Sequence, residues 1–425
     1  MSAARARDSA PEPSPARFAA LHNRDCRPYL AGTMLAMMAD NVEHVITYWV
    51  LWRTFHSAPL AGFAVISHWV PFLLFSVYFG GLADRYDCRR VIQAAQVLFM
   101  TVSAAWGILF LTGTLQVWHA CALLVLHGMA GALWAPAEQL MLHDLVGRED
   151  LPSAVRLNAT ARSLGILCGP VVGSVLLLVV GATAGMFVNI AFYLPLTLWL
   201  ARTRFTGHLR DDDISRQRLT LAGAWHVLGT VRDDSILLSM IILGGLSSFF
   251  VGASVQSAMP ELADGLGHGD SGLSYGVLLF ATGAGGVLGG ILLEATGTVP
   301  SSARSAILSS AVYGACMVVV AATRSYPLAI VMLFFAGVAN LATMSIAQTL
   351  VQLRAPAEQR GAVVGVYGMS SGGLRAGSGF TVGLLGGLIG LHWSLGLSAA
   401  ALTFATGLVF LYSLVDSAPR VPSRT

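Results

Sequence analysis

The stretch Arg202–Ser235, RTRFTGHLRDDDISRQRLTLAGAWHVLGTVRDDS, is the longest polar run in a chain of 425 residues, and it lies close to the middle. It carries Arg202, Arg204, Arg210, Arg216, Arg218 and Arg232. On both sides the chain is apolar almost throughout. Hydrophobic residues make up 55% and charged residues only 11%, against about 25% charged in a soluble globular chain. Mean hydropathy is +0.69. A soluble domain could not hide that much apolar surface, and a disordered chain has the opposite composition. The reading is an all-α integral membrane protein of many spans.

A spanning helix needs roughly 20 residues. Segments of that length fit at 29–53, 60–83, 91–113, 117–142, 154–180 and 183–201, and again at 236–259, 273–294, 304–323, 326–352, 361–387 and 390–414. That predicts twelve transmembrane helices in two six-helix bundles, 29–201 and 236–414. A central loop, 202–235, joins them, and tails, 1–28 and 415–425, flank them. The first 28 residues hold no apolar run with a cleavage site, so they read as a tail rather than a signal peptide. All 25 basic residues are arginine. With the N-terminus inside, 21 of them fall in inner segments and only Arg53 and Arg324 in outer ones. That bias places both termini in the cytoplasm. An offset of 209 relates Gly80-Gly81 to Gly289-Gly290, Gln139 to Gln348 and Glu149 to Glu358, which points to a duplicated unit. A net charge of +3 gives nucleic-acid binding no support. The five cysteines, Cys26, Cys88, Cys121, Cys168 and Cys316, are scattered and read as small apolar filler.

Chemistry concentrates in the first segment. Asp40, Glu43, His44 and Thr47 repeat at i, i+3, i+4 and i+7, so they share one helix face. Asp40 is 12 residues from Pro28, roughly 18 Å along a helix and hence near mid-bilayer. Intramembrane acids are costly and face a cavity or a partner. Two readings follow: Glu43, with Asp40 and His44, carries a coupling proton, or the acids form a fixed ion pair with Arg162 or Arg375. Those two arginines lie at similar depths in the fifth and eleventh segments, where they could alternatively hold an anionic group of a substrate. His68, His119 and His127 also fall in apolar segments. A proton relay through them is one reading, a packed, hydrogen-bonded histidine the commoner one, and their separation in sequence supports no metal site. Trp49, Trp52, Trp69 and Trp134 read as interfacial or packing aromatics.

Two motifs remain. Gly80-Gly81-Leu82-Ala83-Asp84-Arg85-Tyr86-Asp87-Cys88-Arg89-Arg90 joins the second and third segments. Gly80 permits close helix approach, Asp84 can face the positive end of a helix in the other half, and Arg85, Arg89 and Arg90 can pair with acids across the inner seam. Gly165, Gly169, Pro170 and Gly173 make a small-residue face in the fifth segment, with a proline that frees a carbonyl. The first motif resembles the signature of the major facilitator superfamily, although Asp87 replaces its usual glycine and Cys88 a basic residue. The second resembles the antiporter motif of exporters in that superfamily, with Ser174 in place of the last glycine.

The stretch Leu145–Gly173 is similar to the enterobactin-exporter-like and macrolide-efflux branch. The resemblance implies a conformational latch at Gly80, Asp84, Arg85, Arg89 and Arg90. It also implies a proton-driven exporter of a small amphiphilic molecule, a siderophore or a drug, in a bacterial inner membrane. The expected partners are the substrate, protons and the bilayer, with no cofactor, and the chain is expected to act as a monomer. An importer or lysophospholipid flippase of the same fold is the alternative. A membrane-embedded enzyme or sensor has no nucleophile–base pair, metal spacing or soluble domain to support it.

Overall fold

The computed structural model describes residues 17–55, 58–208, 221–252, 272–378 and 385–416, with a few positions between them. The expected tail arginines Arg5, Arg7, Arg420 and Arg424, and Arg210, Arg216 and Arg218 of the central loop, lie outside the described residues.

Every regular element among the described residues is helical. After a short turn, α1 (Ala19–His22), come α2 (Cys26–Phe55), α3 (Ala58–Arg85), α4 (Cys88–Thr112), α5 (Val117–Val179) and α6 (Gly181–Arg202). The second half holds α7 (Leu221–Asp233), α8 (Ser235–Phe250), α9 (Gly272–Thr296), α10 (Ala303–Ala322), α11 (Tyr326–Arg354), α12 (Arg360–Gly368), α13 (Arg375–Ser378), α14 (Leu385–Ile389) and α15 (Leu391–Asp416).

Local chemistry sets the boundaries. Asp87 caps α4 by accepting from the Arg89 amide, and Gly113 ends that helix at φ 64°. Asp234 caps α8 through the amides of Ile236 and Leu237. Gly147, at φ 75° and ψ −178°, breaks the 63-residue α5 into two stretches; a side chain would be strained in that conformation.

Eight helices among the described residues are long and apolar enough to cross a membrane, or nine if α7 and α8, bent by 105°, count as one. The expected twelve is not reached on that measure, for local reasons. The segments 117–142 and 154–180 are joined through Gly147 into α5. The 30-residue α2 carries Asp40, Glu43 and His44, which lower its hydropathy. The segment 361–387 is divided by a π turn at Met369–Gly373. Part of the expected central loop is helical, as α7.

Buried apolar side chains form two sets of clusters. One draws on residues 18–205, with Leu353 at its margin. The other draws on residues 227–409, with Val77 at its margin. The halves meet where α3 packs on α12 and where α5 packs on α9 and α11. Large apolar residues point outward, with Leu178 84% and Trp393 71% exposed. A soluble protein avoids such a surface, whereas lipid covers it.

Candidate functional site

The polar face of α2 is buried inside the first half. Asp40 and Glu43 are 8% and 2% exposed. Between them stands His127 of α5. Its Nδ1 lies 2.9 Å from Glu43 Oε1 and its Nε2 2.8 Å from Asp40 Oδ1. Ionised carboxylates only accept hydrogen bonds. With both acids charged, the ring must donate from both nitrogens, as imidazolium. With a neutral ring, one carboxyl must hold the proton. The two descriptions differ only in where that proton sits, so the geometry accommodates one proton shared among the three groups.

Neighbouring residues fix the triad. Ser103 of α4 donates to Glu43 Oε2 and accepts from Asn189 of α6 at 3.3 Å. Asn41 reaches Asp40 Oδ2 at 3.4 Å. Phe99 stands edge-on to His127 at 4.9 Å and stacks on Tyr193 at 5.3 Å. His44 lies 3.7 Å from Asp40 Oδ2, beyond hydrogen-bond reach. His68 of α3 joins the group, its ring 4.9 Å from His44 and 5.7 Å from His127. Asp40, His44, His68 and His127 thus offer donor atoms within 4.8 Å of one another, although sequence spacing groups only Asp40 with His44. Because His127 already spends both nitrogens on the two carboxylates, the arrangement is suited to holding a proton rather than an ion. His119 is elsewhere, accepting from the Gln116 amide at the start of α5.

Neither intramembrane arginine pairs with Asp40 or Glu43. Arg162 bonds Glu138 Oε2 at 2.9 Å and lies over the Trp134 ring at 5.3 Å. Both residues belong to α5, whose break at Gly147 folds the stretch carrying Arg162 back beside the one carrying Glu138. Arg375 lies over the Trp69 ring at 4.8 Å. The alternative of a fixed arginine–acid pair is therefore corrected: the partner of the first-segment acids is a histidine.

The two halves are sealed at the arginine-rich end of the bundle. Asp84, at the end of α3, accepts from the Gly361 and Ala362 amides at 2.5 and 2.8 Å. These are orphan donors of the first turn of α12, where negative charge is favoured. A Cβ on Gly80 would collide with the Gly361 carbonyl. Arg85, Arg89 and Arg90 do not reach across. Arg89 is taken by Asp87 at 2.7 Å and the Thr203 carbonyl at 2.6 Å, Arg90 bonds Gln93, and Arg85 lies over Tyr86. The departure at Asp87 explains this for Arg89, because a carboxylate two residues away outcompetes more distant partners. Other residues cross instead. Glu294 of α9 accepts from Ser153 and from Arg156 Nε, the latter at 2.6 Å, and Arg148 donates to the Leu353 carbonyl at 3.0 Å. Gly290, offset by 209 from Gly81, faces Thr160 across this second contact.

Gly165, Gly169 and Gly173 form a groove for α2. Added Cβ atoms there would meet Met34 O, Asn41 Cβ and Val45 Cβ respectively. Pro170 is exposed on α5.

A model of the transmembrane secretion effector family matches residues 16–422. The chain belongs to that family, a branch of the major facilitator transporters. Its family and fold are those of multi-pass membrane transporters, not enzymes. This secretion-effector chain is 22% identical over 267 residues to the staphyloferrin A transporter of Staphylococcus aureus, covering 62% of this chain and 66% of that one. The chain therefore spans just under two thirds of that relative. It is 24% identical over 345 residues to the multidrug efflux pump Tap of Mycolicibacterium fortuitum, covering 80% and 83%. The crystal structure of a human organic anion transporter superposes with a TM-score of 0.68 at 15% identity, over 90% of this chain and 99% of that one; at that identity the likeness is one of fold.

The sequence of this secretion-effector chain marks His127 but not its pairing with Asp40 and Glu43, and it does not mark Glu294 at all. A single histidine in an apolar segment resembles a packed one, and 84 residues separate His127 from Glu43. Glu294 is the last residue of its expected span, where an acid reads as an ordinary helix end. Its place at the 209 offset from Arg85, beside the Gly289-Gly290 repeat, was the available signal.

Proposed function

We propose that this transporter is a proton-driven exporter of a small amphiphilic molecule, a siderophore or a drug, working by alternating access in a bacterial inner membrane. The Asp40–His127–Glu43 triad carries the reading. It is a proton store buried at mid-span with no permanent arginine partner, and such a store has no structural need of two acids. The arginine-rich end is cytoplasmic in this account, with both termini on that side. The chain acts as a monomer, and 29–201 and 236–414 move as two bodies.

The cycle follows from charge. Open to the outside, Glu43 takes a proton, which reduces the negative charge the site must bury. A carboxylate without its counter-charge is expensive in a dry site, so the protonated form is the easier one to occlude. The site then reopens inward, Glu43 releases its proton to the cytoplasm, and substrate binds. Outward return carries the substrate. Asp40 and His44 keep His127 oriented as the proton comes and goes. Gly80 and Asp84 close the cytoplasmic seam, with Arg89 and Arg90 holding the loop that presents Asp84 and Arg85 flanking it. Gly165, Gly169, Pro170 and Gly173 keep α5 tight on α2, so that proton binding is transmitted to the seam. The siderophore and multidrug relatives support the substrate class.

The test uses inverted membrane vesicles energised by respiration, with interior acidity followed by a quenching dye. Adding a macrolide or a metal-free siderophore should release protons, saturably, only where the protein is present. Uptake of a labelled substrate of either class that is indifferent to collapse of the proton gradient would remove proton-driven export.

A further inference from the structure

Arg375 is charged at any accessible pH, and its Nε is buried without a hydrogen-bond partner among the described residues. No described carboxylate forms an ion pair with it, whereas Arg162, at similar depth, has Glu138. Its neighbours in electrostatic range are Tyr313, Tyr367, Arg162 and His68, none of them anionic at neutral pH. The guanidinium instead lies over the Trp69 indole at 4.8 Å, with Phe72 beyond it at 5.8 Å from Trp69. Stacking satisfies one face of the cation and leaves Nε without an acceptor among the described residues. Buried charges in membrane proteins are paired or functional.

The backbone around Arg375 is built to place it. The π turn Met369–Gly373 ends two residues before it, and such turns re-aim side chains at functional sites. Gly372 and Gly373 let this turn lie directly on Phe72 and Leu73 of α3, so a residue of the second half is seated on an aromatic floor of the first. His68 stands between this floor and the triad: its ring is 4.6 Å from Trp69 on one side and 4.9 Å from His44 on the other.

We propose that Arg375 is the docking cation for an anionic group, a carboxylate or similar planar anion, attached to a flat apolar body that packs on Trp69 and Phe72. The inference rests on reading the space between the halves as the transport pathway, and not on the direction of transport or on the proton. A free inorganic anion offers the same charge without the apolar body.

The purified full-length protein in lipid nanodiscs is titrated by calorimetry with benzoate, with its neutral isostere benzamide, and with chloride as competitor. Benzoate should bind at least tenfold more tightly than benzamide. Arg375→Gln should weaken benzoate at least tenfold and Arg375→Lys by less, while Arg324→Gln, an exposed arginine in an outer segment, should match the wild type. Displacement of benzoate by equimolar chloride would assign the site to a free inorganic anion and overturn the proposal. Equal binding of benzoate and benzamide, no binding of either, or an unchanged Arg375→Gln would overturn it. The wild-type comparison needs no variant, so a misfolded one cannot shield the claim. Binding is read without a gradient, so the anion site and proton-driven export can fail separately.

Discussion

Gln352 of α11 donates a hydrogen bond of 2.9 Å to Gln139 of α5, joining residues 213 positions apart. Both side chains are buried, and the bond crosses between the two halves at the arginine-rich end. Separation of the halves there would break it, so in the proposed cycle the pair reports the state of the seam. A direct disulfide needs Cα atoms 4.4–6.8 Å apart, closer than two glutamines that meet through their amides. A short bifunctional thiol cross-linker suits Gln139→Cys with Gln352→Cys, in a background lacking the native cysteines.

Gly80→Val should abolish that cross-link almost completely. The valine Cβ would collide with the Gly361 carbonyl oxygen, and a backbone oxygen cannot swing aside as a flexible side chain can. The expected outcome is normal insertion, seam cross-linking reduced at least tenfold, and transport lost. Retained cross-linking would mean that α3 and α12 can separate without opening the seam.

Asp84→Asn should have a milder effect of the same kind. The carboxylate accepts from two amides at the start of α12, and a charge at a helix end contributes about 0.3–1 kcal/mol, up to about 2 when partly buried. About 0.3–1 kcal/mol is a factor of about 2–5 in a two-state balance. Cross-linking rate and transport should both fall within that range, with insertion unchanged. A well-expressed Asp84→Asn variant with wild-type rates would remove the latch.

Glu294→Gln should weaken the seam more than Asp84→Asn. Arg156 is only 12% exposed in its side chain and depends on Glu294 for its charge partner. Removing one member of a buried pair leaves the other uncompensated, which costs about 3–5 kcal/mol. The double variant Arg156→Gln with Glu294→Gln should recover part of the cross-linking, since no stranded charge remains. A double variant no better than the single one would show that Ser153, not Arg156, is the partner that matters.

Some of this was legible in the residues and some was not. The polar face Asp40–Glu43–His44 stands out because acids are rare in apolar segments, and the Gly80–Asp84 spacing marks a close contact that ends in a charge. What one sequence does not carry is distance between helices. The partner of Glu43 comes from α5 and that of Glu294 from the other half of the chain, so neither leaves a local pattern. Arg162 was weighed as a partner for Asp40 by depth alone, but the break at Gly147 folds α5 back and puts Glu138 nearer. The reach expected of Arg89 failed for a local reason, since Asp87 holds it.

The central claim is that the proton shared by Glu43 and His127 drives export. Glu43→Gln keeps the size of the side chain and its bonds to Ser103 and the ring, but cannot titrate. In proteoliposomes, transport driven by an imposed pH gradient should be lost in this variant, while exchange of labelled for unlabelled substrate across the same membrane continues. Full gradient-driven transport by Glu43→Gln at normal membrane levels would contradict the account.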